Sequence, residues 1–324
     1  MEIKYLCTPM EIIRNIKEPG MLVKSAATIG VFDGVHAGHR QVIKRLISDS
    51  QSHHLASMVI TFDRQPRQLF DPDFRPQLLT TQREKERELE RLGIDYLVVL
   101  PFTKEIASLS AYEFMWKILK EKLNVKLLIT GYDNRFGHDR TEGFEDYVRY
   151  GEELGIRVHR GIELSIQDYD VSVSSSSVRW LLSEKGEVDT AAVLLGHYYQ
   201  LTGKVIPGEH IGHQLGFPTA NLQPDDPFKL IPASGAYAVM ATIGDHQEQW
   251  PAMMNIGTRP TFDGNSRTLE VNIIDFDGDL YGLTITIDFV ARLREERHFD
   301  SPEALVAQLH KDKALTMELF AKTD

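Results

Sequence analysis

Two histidines stand in a glycine-rich segment near the start of the chain. The segment is TIGVFDGVHAGH, residues 28–39, and it contains Gly30, Gly34 and Gly38. His36 and His39 are three residues apart, so a helical turn places them on one face. Imidazole N–H groups at a helix N-terminus can donate hydrogen bonds to negative charge developing on a phosphate. The pattern therefore predicts attack at the α-phosphate of a nucleotide, without the Gly-Lys-Ser/Thr of a P-loop.

Two other interpretations of the histidine pair stay open. One histidine could cap the helix while the other is exposed to solvent. The pair could also bind zinc, although no third ligand lies nearby in the sequence. A lone histidine would favour the capping role, whereas two histidines in a glycine-rich turn favour phosphate chemistry.

Two later segments carry polar groups that suit the same chemistry. They are residues 130–137, TGYDNRFG, and residues 173–179, VSSSSVR. Open α/β sheets bind ligands at the carboxyl ends of their strands, where both segments are expected. Hydroxyl groups and Arg179 at a helix start can hold the outer phosphates of ATP. Each segment alone is a weak signal, since Arg135 and Arg140 could be surface charges, but their order along the chain strengthens it.

A second glycine-rich segment, residues 203–222, ends in Gly-Phe-Pro-Thr-Ala-Asn. Such glycines let a loop surround phosphates with backbone N–H groups. Thr219 and Asn221 are two residues apart, so in an extended segment a hydroxyl and an amide oxygen lie on the same side and could share one Mg²⁺. A tight turn stabilised by Asn221 is an equally good interpretation of these four residues alone.

Glu270 lies in an alternating segment, RTLEVNII, residues 267–274. Leu269 and Val271 share one face of the predicted strand, and Glu270 shares the other with Asn272. A carboxylate beside bound Mg·ATP could take a proton from an attacking hydroxyl. Without that context, an ordinary solvent-facing glutamate is the simpler interpretation.

The elements that must position these residues change character near residue 195. Before it, predicted strands at 26–31, 58–62, 96–100 and 126–130 alternate with predicted helices. Those helices are 39–50, 84–92, 111–123 and 144–154. Strand–helix alternation of this kind predicts a parallel sheet covered by helices on both faces.

After Gly196 the pattern is mostly strand, at 198–206, 236–243, 252–256, 268–276 and 280–289, followed by a helix at 302–320. Consecutive strands separated by Gly, Pro, Asn and Asp turns predict a small antiparallel β-barrel with a closing helix. We therefore expect an α/β chain of two domains, residues 1–186 and 187–324.

Composition excludes several classes of protein. The 324 residues include 36 Lys and Arg against 47 Asp and Glu, a net charge of −11, which disfavours nucleic acid as a partner. Cys7 is the one cysteine, so neither a disulfide framework nor a thiolate zinc site is expected. The start of the chain does not resemble a signal peptide, and apolar stretches are too short to span a membrane. We expect a soluble cytoplasmic protein.

The first half resembles the adenylyltransferase module of the prokaryotic bifunctional riboflavin kinase/FMN adenylyltransferase (FAD synthetase) family, whose members are HxGH nucleotidylyltransferases with a Rossmann-like sheet. Residues 30–39 match the HxGH signature, residues 131–137 match Gly-x-Asp/Asn-x-x-Phe-Gly, and residues 174–179 match Ser-Ser-Thr-x-x-Arg. The resemblance implies that His36 and His39 stabilise the transition state. It also implies that residues 174–177 and Arg179 hold the leaving pyrophosphate. Two departures are Gln65, where the family usually has histidine, and Asn134, where an aromatic residue is common.

The second half resembles the flavokinase part of the same family. Gly216–Asn221 reproduces its Gly-Phe-Pro-Thr-Ala-Asn, and residues 254–262, 269–271, 279–282, 293–294 and 299 match later blocks. A basic residue often stands in the family where His213 stands here. The resemblance implies a six-stranded barrel, Mg²⁺ on Thr219 and Asn221, and Glu270 as general base for the ribityl hydroxyl.

Together the two resemblances imply one enzyme that phosphorylates riboflavin to FMN with ATP and then adenylylates FMN to FAD. The expected ATP ligands of the adenylyltransferase are Gly30, Phe32, Asp33, Gly34, Gly38, Asp133, Ser174, Ser175, Ser176 and Arg179. Those of the kinase are Gly203, Lys204, Gly208, Gly212, Gly216 and Pro218. The expected flavin ligands are Asp63, Pro66, Arg67, Asn134, Arg259 and Arg294.

The expected partners are riboflavin, FMN, ATP and FAD, with Mg²⁺ as cofactor and with neither nucleic acid nor membrane. Self-association is left open. Two alternatives are a riboflavin kinase with an inactive first domain and a flavin-binding protein without turnover. The set of polar groups disfavours the second alternative, because binding alone does not need a base.

Overall fold

The structure, a computed structural model, describes residues 9–14, 16, 23–132, 135–138, 140–161, 172–208, 215–244, 246, 248–261 and 264–321, the side chains of 259–266 excepted. It divides the chain into two compact units. The first unit consists of Met1–Pro76 and Gln82–Val173, and the second of Gln77–Thr81 and Ser174–Asp324. The predicted domain boundary at residues 186 and 187 stays a prediction.

The first unit is a parallel sheet with helices. Its strands are β1 (Glu11–Ile13), β2 (Ser25–Ile29), β3 (Ala56–Phe62), β4 (Tyr96–Leu100), β5 (Val125–Thr130) and β6 (Arg157–Arg160). Its helices are α1 (Ala37–Ser52), α2 (Pro66–Phe70), α3 (Gln82–Arg91), α4 (Lys104–Ala107), α5 (Ala111–Phe114) and α6 (Phe144–Leu154). A 3₁₀ turn at Asp33–Val35 precedes α1, and a π-helical segment, Met115–Lys122, continues α5.

The strand order is β1-β4-β3-β2-β5-β6, and every pairing in this sheet is parallel. The four predicted strands are the four central ones. The two edge strands lacked a hydrophobic signal, because β1 has only three residues and β6 reads Arg-Val-His-Arg with both ends exposed. Edge strands bury little surface, so their sequences need not be apolar.

Both faces of this sheet are covered by helices. Along β4, Val98 and Leu100 pack with the α5 and α6 side of the core, whereas Leu97 and Val99 pack with the side that holds Ile43 of α1. Alternate side chains of a strand point to opposite faces, so a doubly covered strand must be apolar throughout. The predicted layered α/β architecture is confirmed.

The second unit is a closed antiparallel barrel with helices. Its elements are α7 (Ser175–Trp180), α8 (Val188–Leu195), β7 (Tyr199–Ile206), β8 (Ala220–Pro224), β9 (Gly235–Ile243), β10 (Gln249–Thr261), β11 (Gly264–Ile273), β12 (Thr284–Glu295) and α9 (Pro302–Ala321). The order around the barrel is β10-β11-β8-β7-β12-β9. The six-stranded barrel and its closing helix are thus confirmed. The last predicted strand was placed too early, because a turn occupies residues 281–282 and the strand continues to Glu295.

A short segment from earlier in the chain belongs to this second unit. Leu78 pairs with Lys229 in an isolated parallel bridge, and Lys229 Nζ donates to the carbonyl oxygen of Leu79 at 2.6 Å. The Lys229 ammonium also lies 4.3 Å from the centre of the Tyr199 ring, a cation–π contact. Both lysine contacts are buried, so they hold the segment to the barrel wall.

Register divides the barrel strands into an apolar inner face and a mixed outer face. Met254 pairs with Val271 and Leu201 pairs with Ile287, and all four side chains are fully buried. On the outer face, Met253 and Ile274 pack with Phe217 beneath α9. In the described part of the chain, no helix combines the length and the apolar character needed to cross a bilayer.

Gly151, inside α6, generates a first prediction. A Cβ there would lie 2.3 Å from the carbonyl oxygen of Ile156 and 2.8 Å from Val158 Cγ2. Alanine usually gains about 0.5–1 kcal/mol over glycine within a helix, but overpacking against backbone costs about 1–3 kcal/mol. We expect Gly151→Ala to lower the free energy of unfolding, measured by urea titration. Glu152→Ala, at an exposed site of the same helix, should leave it nearly unchanged, and equal effects would contradict the steric explanation.

Candidate active sites

The turn between β2 and α1 has an unusual backbone. Phe32 and Val35 have positive φ values of 50° and 41°, and Gly34 has a φ of 82°. Gly30 N donates to the carbonyl oxygen of Ile60 on the next strand, and Val35 N closes the turn on the carbonyl of Phe32, both at 3.1 Å. A left-handed β-branched residue is strained, and such strain concentrates at functional sites. The predicted ATP residues Phe32, Asp33 and Gly34 are all buried in this turn.

The turn brings the side chains of His36 and His39 into contact. Their rings stack at a centroid distance of 3.6 Å, and His36 Nδ1 accepts a hydrogen bond from His39 N at 3.3 Å, which makes His36 the N-cap of α1. Because Nδ1 accepts, a neutral His36 ring carries its proton on Nε2 and can donate from there. The capping role considered from sequence is therefore real for His36, and it leaves Nε2 as a donor.

His39 is neutral near pH 7. Burial, the neighbouring His36 ring and the ammonium group of Lys85 hold the pKa of His39 well below its ordinary value. Its Nδ1 atom is buried and makes no hydrogen bond within the described part of the protein. The Phe32 ring meets His39 edge-on at 5.0 Å. An immobilised neutral imidazole of this kind suits hydrogen-bond donation to a phosphate oxygen.

Lys85 is a charged group near this turn that sequence reasoning missed. It lies on α3 and is only 6% exposed. Burial lowers the pKa of Lys85, which the carboxylates of Asp33 and Glu86 oppose. One signal could have revealed it: Lys85 stands four residues before Leu89, a fully buried residue, so it occupies the buried face of the helix.

The serine segment lies at the start of a helix, as expected, and Ser174 caps that helix. Ser174 Oγ accepts from Ser177 N at 3.1 Å, and α7 begins at Ser175. Arg179 Nε donates to the carbonyl oxygen of Gln77 at 2.8 Å, within the second unit. Since His36 and His39 belong to the first unit, the joint use of one ATP by both groups stays a prediction, as do the roles of Ser175, Ser176 and Gly38.

The predicted flavin residues after β3 take part in local structure. Asp63 Oδ1 accepts from Phe102 N at 2.9 Å. Pro66 begins α2, and Gln65 N, at the N-cap, donates to Gln68 Oε1 at 2.8 Å. Arg67 is exposed, forms an ion pair with Asp71 and lies over Phe74. The departure at Gln65 is thus compatible with an ordered helix start, while the flavin contacts stay predictions.

Four predicted site residues cannot be placed. Asp133, Asn134 and Gly212 lie outside the described residues, and so does the side chain of Arg259. His213 and Cys7 are also outside them.

The barrel places three polar residues in one row. Glu270 on β11 pairs with Asn221 on β8 and with Asn255 on β10. Residues directly opposite one another share a face, so this row lies on the outer face, away from Val271. The predicted magnesium ligand Asn221 and the predicted base Glu270 are therefore adjacent.

The segment before β8 is held close to this row. Asn272 Nδ2 donates to the carbonyl oxygen of Pro218 at 2.7 Å, which fixes the residue preceding Thr219. Gly208 passes directly over Asn221, because a Cβ at residue 208 would lie 1.8 Å from Asn221 Nδ2. A side chain at residue 208 would therefore displace the amide of Asn221, which lies beneath the loop backbone.

The remaining predicted ATP residues of the kinase have visible structural roles. Gly203 lies in β7, where a Cβ would be 2.4 Å from the carbonyl oxygen of Gln223. Lys204 is exposed on the same strand, and Gly216 has a φ of 77° in the turn before Phe217. Their contacts with ATP stay predictions.

Arg294, a predicted flavin residue, is bonded to a carboxylate that sequence reasoning missed. Arg294 Nε donates to Asp312 Oδ2 at 2.9 Å, and Gln308 Nε2 donates to Asp312 Oδ1 at 2.7 Å. The Asp312 carboxylate is only 5% exposed. This buried pair ties α9 to β12, a contact between distant positions that no local pattern shows.

Within the described residues, no group of three or more His, Cys, Asp and Glu side chains is arranged to hold a metal ion. That search does not bear on Thr219 and Asn221, whose oxygen atoms are of another kind.

The Arg294–Asp312 pair generates a second prediction. Arg294→Met leaves a buried carboxylate without its cation, which typically costs about 3–5 kcal/mol. We expect a large drop in the urea midpoint of the barrel, followed by circular dichroism. The control is Lys313→Met, which breaks the exposed Lys313–Asp275 pair on the same helix and should cost less than about 1 kcal/mol. Equal losses of stability would show that the buried Arg294–Asp312 pair contributes no more than the exposed Lys313–Asp275 pair.

Comparisons with known proteins give matches to both halves of the chain. A family model described as FAD synthetase matches residues 19–177, and one described as riboflavin kinase matches residues 195–320. The bifunctional riboflavin kinase/FMN adenylyltransferase of Escherichia coli K12 is 36% identical over 97% of this chain and 99% of its own length. The Bacillus subtilis protein of the same name is 33% identical over 92% of this chain and 93% of its own.

A solved structure from Streptococcus pneumoniae, described as a macrolide-efflux protein, shares the fold. It has a TM-score of 0.84 and 32% sequence identity, and the match covers 96% of this chain and 99% of that one. The activity named in that description refers to the pneumococcal protein alone. Since two family models in the same order and the full-length relatives confirm the resemblance carried by the motifs, this chain belongs to the bifunctional riboflavin kinase/FMN adenylyltransferase family.

Proposed function

We propose that this protein makes FAD from riboflavin in two ATP-dependent steps. The barrel phosphorylates riboflavin to FMN, and the domain with the parallel sheet transfers AMP from ATP to FMN, releasing pyrophosphate. The observation that carries the proposal is that both sets of chemical groups are intact: the stacked pair His36–His39 on its glycine-rich turn, and the row Asn221–Glu270 on the barrel.

In the adenylyl transfer, an oxygen of the FMN phosphate attacks the α-phosphorus of ATP, and the bond to the bridging oxygen of pyrophosphate breaks. The negative charge on the α-phosphate oxygens must be stabilised as the bond exchange proceeds. His36 Nε2–H and the His39 ring supply hydrogen bonds, and the N-terminus of α1 supplies a positive dipole end. Ser174–Ser177 and Arg179 are the groups we expect on the pyrophosphate.

In the phosphoryl transfer, the terminal ribityl hydroxyl attacks the γ-phosphorus of ATP, and ADP leaves. Glu270 accepts the hydroxyl proton, a role that typically contributes about 10²–10⁴-fold. The hydroxyl of Thr219 and the amide oxygen of Asn221 are hard donors of the kind that Mg²⁺ prefers, and Gly208 confines one of them, so these residues fit the ion. Mg²⁺, when bound, neutralises charge on the ATP phosphates.

The remaining expectations belong to this proposal. We infer a cytoplasmic enzyme whose ligands are riboflavin, FMN, ATP and FAD, with neither a nucleic acid nor a membrane partner. We leave self-association open. A kinase with an inactive first domain would keep the barrel row but would not need the His36–His39 geometry, and a flavin carrier would need no base at residue 270.

The first experiment is a time course with purified protein, riboflavin, ATP and MgCl₂, in which flavins are separated by chromatography. FMN should rise first and FAD should follow. FMN without FAD, also after FMN is supplied directly, would favour the single kinase. Bound riboflavin with no conversion would favour the carrier.

A third prediction concerns the base. Glu270→Gln keeps the shape of the side chain and removes its ability to accept a proton. We expect riboflavin phosphorylation to fall by about 10²–10⁴-fold, while FAD formation from supplied FMN continues on the same chain. Unchanged phosphorylation would refute the assignment of Glu270.

A fourth prediction is the mirror of the third. His39→Ala removes one donor at the α-phosphate, and loss of one such donor typically costs about 10²–10³ in rate. FMN should therefore accumulate from riboflavin while FAD formation nearly stops. The matched control is His53→Ala, which replaces an exposed histidine at the other end of α1 and should leave both rates intact. Normal FAD output from the His39 variant would exclude the proposed role.

A further inference from the structure

Lys85 carries a buried positive charge that the reactions above do not use. The residue is 6% exposed, and among the described residues no carboxylate forms an ion pair with its ammonium group. Two acidic residues of its own helix bind other cations. Glu86 receives Arg14, and Glu88, which is almost fully buried, receives both Arg40 and Arg91. Lys85 is thus a buried cation of α3 that forms no ion pair with a carboxylate among the described residues.

Burial removes the hydration of the Lys85 ammonium, which destabilises its charge, and the nearby Asp33 and Glu86 carboxylates offset this only in part. Such groups persist where a ligand supplies the missing charge, and perturbed buried titratable groups concentrate at functional sites. The same position could have held an uncharged residue, as Leu89 does one helical turn later. A ligand with negative charge is therefore the natural partner.

The surroundings of Lys85 identify which ligand this is. Its α3 helix packs on the Asp33–Val35 turn, and its charge acts on the Asp33 carboxylate and on the His39 ring. These are the groups that precede and begin α1, where unpaired backbone N–H groups already favour phosphate. The chemistry that fits an ammonium, two imidazoles and a helix N-terminus is a phosphate group of a nucleotide.

We propose that Lys85 binds a phosphate oxygen of ATP in the adenylyl-transfer site, as a third donor beside His36 and His39. The inference rests on the proposed function of that site and adds a residue to it. Lys85 forms no covalent bond and transfers no proton. Its ammonium stabilises the negative charge of the phosphate, most strongly when the α-phosphorus is exchanging its bonds.

Lys85 also affects the pH dependence of the site. The charged and titratable groups around His39 are His36, Lys85 and Asp33, with Arg40 and Glu88 paired beside them. The positive charge of Lys85 helps to keep His39 unprotonated. When that charge is removed, the pKa of His39 rises. The loss of activity on the acid side of the pH profile should then begin at higher pH.

The test compares Lys85→Met, Lys85→Arg and Arg83→Met in the full-length protein. FAD formation from supplied FMN and ATP is measured between about pH 5 and pH 9 to obtain kcat/KM. Lys85→Met should lower kcat/KM by about 10²-fold, the effect of losing one such donor, and should move the acid limb to higher pH. Lys85→Arg, which keeps the charge, should recover part of the rate and the wild-type acid limb. Arg83→Met removes an exposed cation from the same helix and should change neither.

Riboflavin phosphorylation by the same variants serves as the control for folding and for active concentration. If Lys85→Met impairs both activities equally, or if Lys85→Arg is as poor and the acid limb stays in place, Lys85 is only a packing residue and the proposal is wrong. Unchanged FAD formation in Lys85→Met also overturns it. A wild-type protein that forms no FAD would instead refute the proposed function itself, which separates the two failures.

Discussion

The two-residue period of the β-strand is the constraint on which both sites depend. In the barrel, the paired residues Val271 and Met254 point into the interior. Their neighbours along each strand, Glu270 and Asn255, must therefore face outward. That requirement brings Glu270 beside Asn221, and a slip of one residue in register would send the carboxylate into the core and an apolar side chain to the surface. Packing of the inward-facing side chains therefore determines which side chains lie on the outer face.

The same constraint acts differently in the parallel sheet. Both faces of its central strands are largely buried, so few side chains within them are available for a ligand. Polar chemistry is confined to the carboxyl ends, where the chain leaves the sheet. The turn after β2 must reverse direction and begin α1 within a few residues, which it does through left-handed Phe32, Gly34 and Val35. The stacking of His36 on His39 is a consequence of that short path.

Local sequence patterns predicted the strands and motifs that depend on neighbouring residues alone. Apolar periods located the four central strands, and motif spacing located the histidine pair and two residues of the barrel row, Asn221 and Glu270. The edge strands β1 and β6 were not predicted, because they bury too little surface to require an apolar pattern. Lys85 and Asp312 were not predicted to be buried charges, for another reason. Each is a charged residue on an otherwise ordinary helix, and only the folded chain shows that it is buried beside a group distant in sequence.

The two sites meet the charge of ATP in different ways. The adenylyl site offers N–H donors: the imidazoles of His36 and His39, a helix N-terminus and the ammonium of Lys85. The barrel offers oxygen atoms from Thr219, Asn221 and Glu270, and the Glu270 carboxylate repels phosphate unless a cation lies between them. A site of the first kind tolerates acid poorly, since protonating His39 beside His36 and Lys85 places like charges together. A site of the second kind depends on a bound cation instead. The two activities of one chain should therefore respond independently to pH and to chelation of divalent ions.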